Sequence, residues 1–168
     1  STGEVMGVDA RFGWAFAKAW IAAGNSLPLA GAAFLSVHDR EKSRLLPVAE
    51  RLAELGFEIV ATRGTAAFLE ERGFVVRTIL KVHEGRPNVV DAMINGEVKL
   101  VINTPVGRDP AMDDAYIRRT AMKMALPCVT TLTGAAAAVE AIAALRGRTL
   151  TVRSLQELRR IGAAVAGA

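Results

Sequence analysis

A single cysteine, Cys128, in 168 residues excludes an internal disulfide and fits a reducing, cytoplasmic location. Aromatic side chains make up 5% of the chain, too few for a base-stacking surface, and the basic residues are scattered along it. No nucleic-acid partner is expected. No apolar run reaches the roughly 20 residues that a membrane span needs, so no membrane partner is expected either. The opening STGEVMGVDARFG lacks the basic-then-apolar order of a signal peptide. The two histidines, His38 and His83, have no third Cys or His at ligand spacing, which argues against a metal site. The glycine fingerprint of a full dinucleotide-binding fold is missing as well.

What remains is a chain of one domain, with 51% hydrophobic and 23% charged residues. Its net charge of +4 gives a mild pull toward anionic ligands. Helical spacing over Ala10–Ala22 places Phe12, Phe16 and Ala19 on one stripe and Trp14, Ala17 and Ile21 on the next. After the break at Gly24–Pro28, β and α patterns alternate. Strands are predicted at Ala32–Val37, Phe57–Ala61, Val75–Ile79, Lys99–Asn103 and Pro127–Thr131. Helices are predicted at Arg40–Leu55, Thr65–Arg72, Asn88–Asn95, Asp113–Ala125 and Ala135–Leu145. Leu150–Val152 reads as a further extended piece, with Ser154 capping a last helix. Repeated βα units imply an α/β fold: a single doubly wound, Rossmann-like layer of about five parallel strands with helices on both faces.

In such sheets ligands bind outside the carboxyl ends of the strands. Thr62, Gly64 and Thr65 fall between a predicted strand and helix, where a glycine admits a ligand close to the backbone and free N–H groups meet an anion. The same residues also suit an ordinary βα turn with Thr caps. Lys42 and Lys81 are placed to reach that edge. Asn103 and Thr104 end the fourth strand, with Gly107 and Arg108 following. Arg118 and Arg119 lie on the next helix. His38 and His83 each neighbour an acid, Asp39 and Glu84, which makes a general acid or base imaginable. Cys128 reads as a small core residue.

From Ala32 to Val152 the chain resembles the methylglyoxal-synthase-like domain, in the version that ends the large subunit of carbamoyl phosphate synthetase. The likeness is carried by LSVHDREK, GFEIVATRGTAAFL, KVHEGRPNVVDAMINGEVKLVINTPVGR and TTLTGAAAAVEAI. The opening STGEVMGVD resembles the segment that leads in from the preceding synthetase domain. The resemblance implies a division into a lead-in helix and linker over residues 1–28, the regulatory domain over 29–161 and a tail over 162–168. It implies a regulatory domain that binds UMP or IMP as effectors, with no catalytic residues and no cofactor of its own. Matching positions are Ser36, Lys42, Thr62, Gly64, Thr65, Lys81, Asn103 and Thr104, joined by Arg108, Asp113 and Arg118. Thr130 matches the family's position on the ornithine side. The parent enzyme would use ATP with Mg2+ or Mn2+, and K+, and would partner a small glutaminase subunit. One departure stands out: Pro105 takes a place where many members carry a second Thr, and proline offers neither a hydroxyl nor an N–H.

Methylglyoxal synthase itself, a lyase acting on dihydroxyacetone phosphate, is the alternative of the same fold. His38, Asp39 and Lys42 match its H-D-x-x-K pattern. Where that enzyme has Gly-Asp, however, this chain has Gly85–Arg86, and no histidine occurs between Thr104 and Thr120. A cation in place of an aspartate base cannot abstract a proton. An interaction module without an effector is the third possibility.

Overall fold

The structure is a computed structural model that describes residues 4–104, 112–147 and 149–159. Five parallel strands, β1 (Ala32–Ser36), β2 (Glu58–Thr62), β3 (Val76–Ile79), β4 (Val98–Asn103) and β5 (Cys128–Val129), lie in the order β3-β2-β1-β4-β5. The central strand β1 reads AAFLS without alternation because both of its faces are covered. Ala33 and Leu35 join β4's Leu100 and Ile102 in a core against α2 (Lys42–Glu54), α3 (Arg63–Glu70) and α6 (Leu132–Gly147). Ala32 and Phe34 point the other way, to a second core under α4 (Val89–Ile94) and α5 (Met112–Lys123). The doubly wound layer expected from the βα alternation is the layer that forms.

The first helix, α1 (Phe12–Ala22), packs on α6 at close range. A side chain at Gly13 would lie 2.7 Å from the Glu140 carbonyl, so only glycine lets the two backbones approach this closely. Of the two stripes read from the sequence, only Trp14 and Ala17 are buried, and Phe12 is largely exposed. Phe16 of the first stripe, and Trp20, are partly buried against the same core.

Several boundaries differ, each for a local reason. Asp39–Glu41 form a 3-10 turn before α2, because His38 Nδ1 accepts a hydrogen bond from the Arg40 N–H and tightens the entry. Helix α3 starts at Arg63, two residues early, since Thr62 already has the extended geometry of a cap. Helix α6 starts at Leu132 rather than Ala135, as the Thr131 hydroxyl oxygen accepts from the Gly134 N–H at 3.1 Å. Strand β5 shrinks to two residues; Pro127 has no N–H, and it joins β4 only through its carbonyl, which accepts from Val101. Residues 149–153 form no strand. Ser154 does cap a short helix at 155–159: its hydroxyl accepts from the Glu157 N–H, and the Glu157 carboxylate accepts from the Ser154 N–H. No helix among the described residues is long and apolar enough to cross a membrane.

Candidate functional site

The strand order reverses between β1 and β4, whose neighbouring connections leave on opposite faces of the sheet. At such a switch point the carboxyl ends diverge and leave a crevice. A hollow of about 150 Å³ opens at that place. Ser36 comes to it from the end of β1, Thr62 from the end of β2, Gly64 and Thr65 from the first turn of α3, and Thr104 from just past β4. Lys42 reaches in from the start of α2, Lys81 from just past β3, and Asp113 from the start of α5.

The threonines are buried and set by the backbone. Thr65 is 1% exposed, and its hydroxyl oxygen accepts from the Val37 N–H at 3.3 Å. Thr104 is 4% exposed, and its oxygen accepts from the His38 N–H at 3.3 Å. A hydroxyl that accepts through its oxygen keeps its own proton for donation. Both threonines can therefore present a donor to an acceptor in the hollow. The first turn of α3 adds backbone N–H groups that have no partner within the helix, at the positive end of its dipole.

The charges are balanced rather than uniformly positive. Lys42 Nζ donates to the Gly64 carbonyl at 2.6 Å and lies 2.7 Å from the Asp39 carboxylate. The hydrogen bond from Lys42 to Asp39, with the charge of Lys42 behind it and smaller contributions from His38 and Lys81, holds the Asp39 carboxyl below its usual range. His83 Nδ1 is hydrogen-bonded to the Asp113 carboxylate, joining the turn after β3 to the start of α5. Glu84 fixes that turn from the other side, accepting from the Lys81 N–H and from Arg63, each at 2.8 Å. The Lys81 amide, then Arg63, lower the pKa of Glu84 against the opposing effect of burial.

Eight of the eleven positions matched to the effector site thus share one hollow: Ser36, Lys42, Thr62, Gly64, Thr65, Lys81, Thr104 and Asp113. Asn103 and Arg118 are not among its lining residues, and Thr130 lies past β5. Asn103 is fully buried opposite Ser36, and neither side-chain polar atom has a partner among the described residues. Arg108 and Pro105 lie outside the described residues. The lining also includes His38, Asp39 and His83, which the sequence offers only as acid–base candidates, and Asp114, for which it gives no signal. Cys128 is half-buried rather than enclosed, and burial pushes its thiol up although the charge of Arg118 pulls the other way. Arg86 is paired with Asp91 and does not line the hollow.

The model of the MGS-like domain matches residues 44–130. The chain belongs to the MGS-like domain family. Among relatives of this MGS-like domain, the carbamoyl phosphate synthase large chain of Gemmatimonas aurantiaca is 52% identical over 161 residues, covering 96% of this chain and 15% of that protein. The carbamoyl phosphate synthase large chain, C-terminal section, of Methanopyrus kandleri is 47% identical over 161 residues, covering 95% of this chain and 30% of that protein. The corresponding section from Aquifex aeolicus is 48% identical over 166 residues, covering 96% and 31%. The chain therefore spans between about one seventh and one third of the length of the curated relatives it matches.

Proposed function

We infer that this MGS-like domain is the regulatory part of a carbamoyl phosphate synthase large chain, and that its hollow takes UMP or IMP by the phosphate. The observation that carries this reading is the pair of buried hydroxyls, Thr65 and Thr104, at the mouth of a helix N-terminus flanked by Lys42 and Lys81. Backbone N–H groups give direction, hydroxyls add donors and the lysines supply charge, the combination a phosphate with nearly two negative charges requires. A hollow of about 150 Å³ is smaller than the roughly 300–1,000 Å³ of pockets that enclose a whole ligand. It suits a phosphoryl group and part of its sugar, with the base lying beyond Thr104. Asn103, whose amide has no partner among the described residues, lies next to Thr104 behind the lining, and a base placed there would lie on its side of the hollow.

In the parent chain, an effector acts only by binding two arrangements of the domain and its synthetase neighbour with different affinity. ATP, its divalent metal and K+ belong to the synthetase part, and ammonia supply to the small glutaminase subunit. The output, carbamoyl phosphate, feeds pyrimidine and arginine synthesis in the cytoplasm. Thr130, past β5, is the residue that would face the ornithine side. Regulation, not catalysis, is the role of this domain.

The lyase of the same fold needs a carboxylate base against its triose phosphate. Here Asp39 is tied to Lys42 and Asp113 to His83, and by the resemblance Arg86 replaces the lyase's aspartate and is itself paired with Asp91. Purified protein incubated with dihydroxyacetone phosphate is expected to form no methylglyoxal above the spontaneous background, even where the triose phosphate binds. Steady, protein-dependent formation would overturn the regulatory reading in favour of the lyase.

A further inference from the structure

The lysine best placed to meet a phosphate already has an anion on it. Lys42 is largely buried along its stem, with 16% of its side chain exposed, and its ammonium has two short contacts: the Gly64 carbonyl at 2.6 Å and the Asp39 carboxylate at 2.7 Å. Asp39 is built differently. Its side chain is 85% exposed, and it stands at the start of the 3-10 turn, three residues before Lys42. The Gly64 contact fixes Lys42 over the first turn of α3, while the Asp39 contact is with a group free to swing into water. Lys81, which also lines the hollow, attracts the Asp39 carboxylate as well.

We propose that Asp39 is a built-in competitor that occupies Lys42 in the absence of effector and must be displaced by the incoming phosphate. This rests on the reading of the hollow as a nucleoside-monophosphate site. The physical case is one of exchange. An ammonium has three donors in a compact head, one of which goes to Gly64 and one to Asp39. A phosphate at the α3 N-terminus needs a share of that charge, and an aspartate left beside it would repel it. Only the lysine end of the pair is enclosed: the Asp39 side chain is 85% exposed, so water takes over its solvation when it leaves Lys42. Displacement is therefore cheap, and the residue sets affinity without blocking the site. It also favours dianionic ligands, which outcompete a carboxylate, over singly charged ones, which match it poorly. Asp113 is held by His83, so it does not play the same part.

The test is calorimetric titration of UMP, and separately of inorganic phosphate, into the 168-residue protein and its Asp39→Asn, Lys42→Ala and doubly substituted forms. Circular dichroism confirms that each is folded. Asp39→Asn is expected to bind both ligands about three- to tenfold more tightly than the unsubstituted protein. In the Lys42→Ala background the same substitution is expected to give no gain, because the competitor acts through that ammonium. Unchanged or weaker binding by Asp39→Asn, with the unsubstituted protein binding normally, would overturn the competitor and leave the site itself intact. An equal gain with and without Lys42 would also overturn it, since the effect would then be general charge alone. Absence of UMP binding by every form would overturn the nucleotide site, and the competitor with it.

Discussion

Replacing Lys42 by alanine is expected to weaken UMP and IMP binding by about 10- to 100-fold. The Lys42 ammonium lies 2.6 Å from the Gly64 carbonyl, at the first turn of α3 where the phosphate is placed. A hydrogen bond to a charged group is worth about 1.5–3 kcal/mol, and each 1.4 kcal/mol is a factor of ten in affinity. The cost falls near that range because the lysine stem is largely buried and held in position, so little ordering is needed on binding. Titration of each nucleotide into folded Lys42→Ala protein checks this. In a full-length large chain, the effector's influence on rate should fall with the affinity. Unaltered binding would mean that the phosphate sits elsewhere in the crevice.

The second large effect concerns stability. Phe34 is fully buried on the central strand, in the core beneath α4 and α5, beside Val60, Val101 and Ile117. Phe34→Ala is expected to lower stability by about 3–5 kcal/mol, the lost transfer energy of the ring together with the cavity it leaves. For a chain of this size each kcal/mol shifts the melting temperature by about 2–4 °C, so a fall of at least about 6 °C is expected in a thermal melt. The site should feel it too, since β1 carries Ser36, Val37 and His38 to the hollow. A melting temperature within 2 °C of the unsubstituted protein would contradict the assignment of this core.

Much of this arrangement was legible in the residues themselves. The βα alternation fixes five strands because apolar runs such as AAFL and KLVIN are bounded by glycine or proline and by helical stretches. Lys42, Thr62, Gly64, Thr65, Lys81 and Thr104 could be gathered because each falls at the end of a strand or the start of a helix, where a parallel sheet opens. Strand order was not legible, since sequence spacing does not say whether the fourth strand joins the first or the third. The partnerships of charge were not legible either. Nothing in the chain order indicates that His83 meets Asp113 thirty residues on, or that Arg86 turns to Asp91. The aspartate on Lys42 is the instructive case. Its spacing of three residues suits an ion pair, yet the position of Lys42 at the sheet edge equally suits a lysine open to ligand. Local spacing likewise gives no sign of the close approach at Gly13, which is a property of two helices together.

The most direct measurement of the central claim is a structure of this protein soaked with UMP and, in parallel, with IMP, at concentrations where calorimetry gives saturable one-to-one binding. The account predicts the phosphate at the first turn of α3, within hydrogen-bond distance of the Thr65 hydroxyl and Lys42 Nζ, with Asp39 swung away from that lysine and the base beyond Thr104. Saturable binding with the phosphate at any other place on the domain would contradict it, as would the absence of binding by both nucleotides.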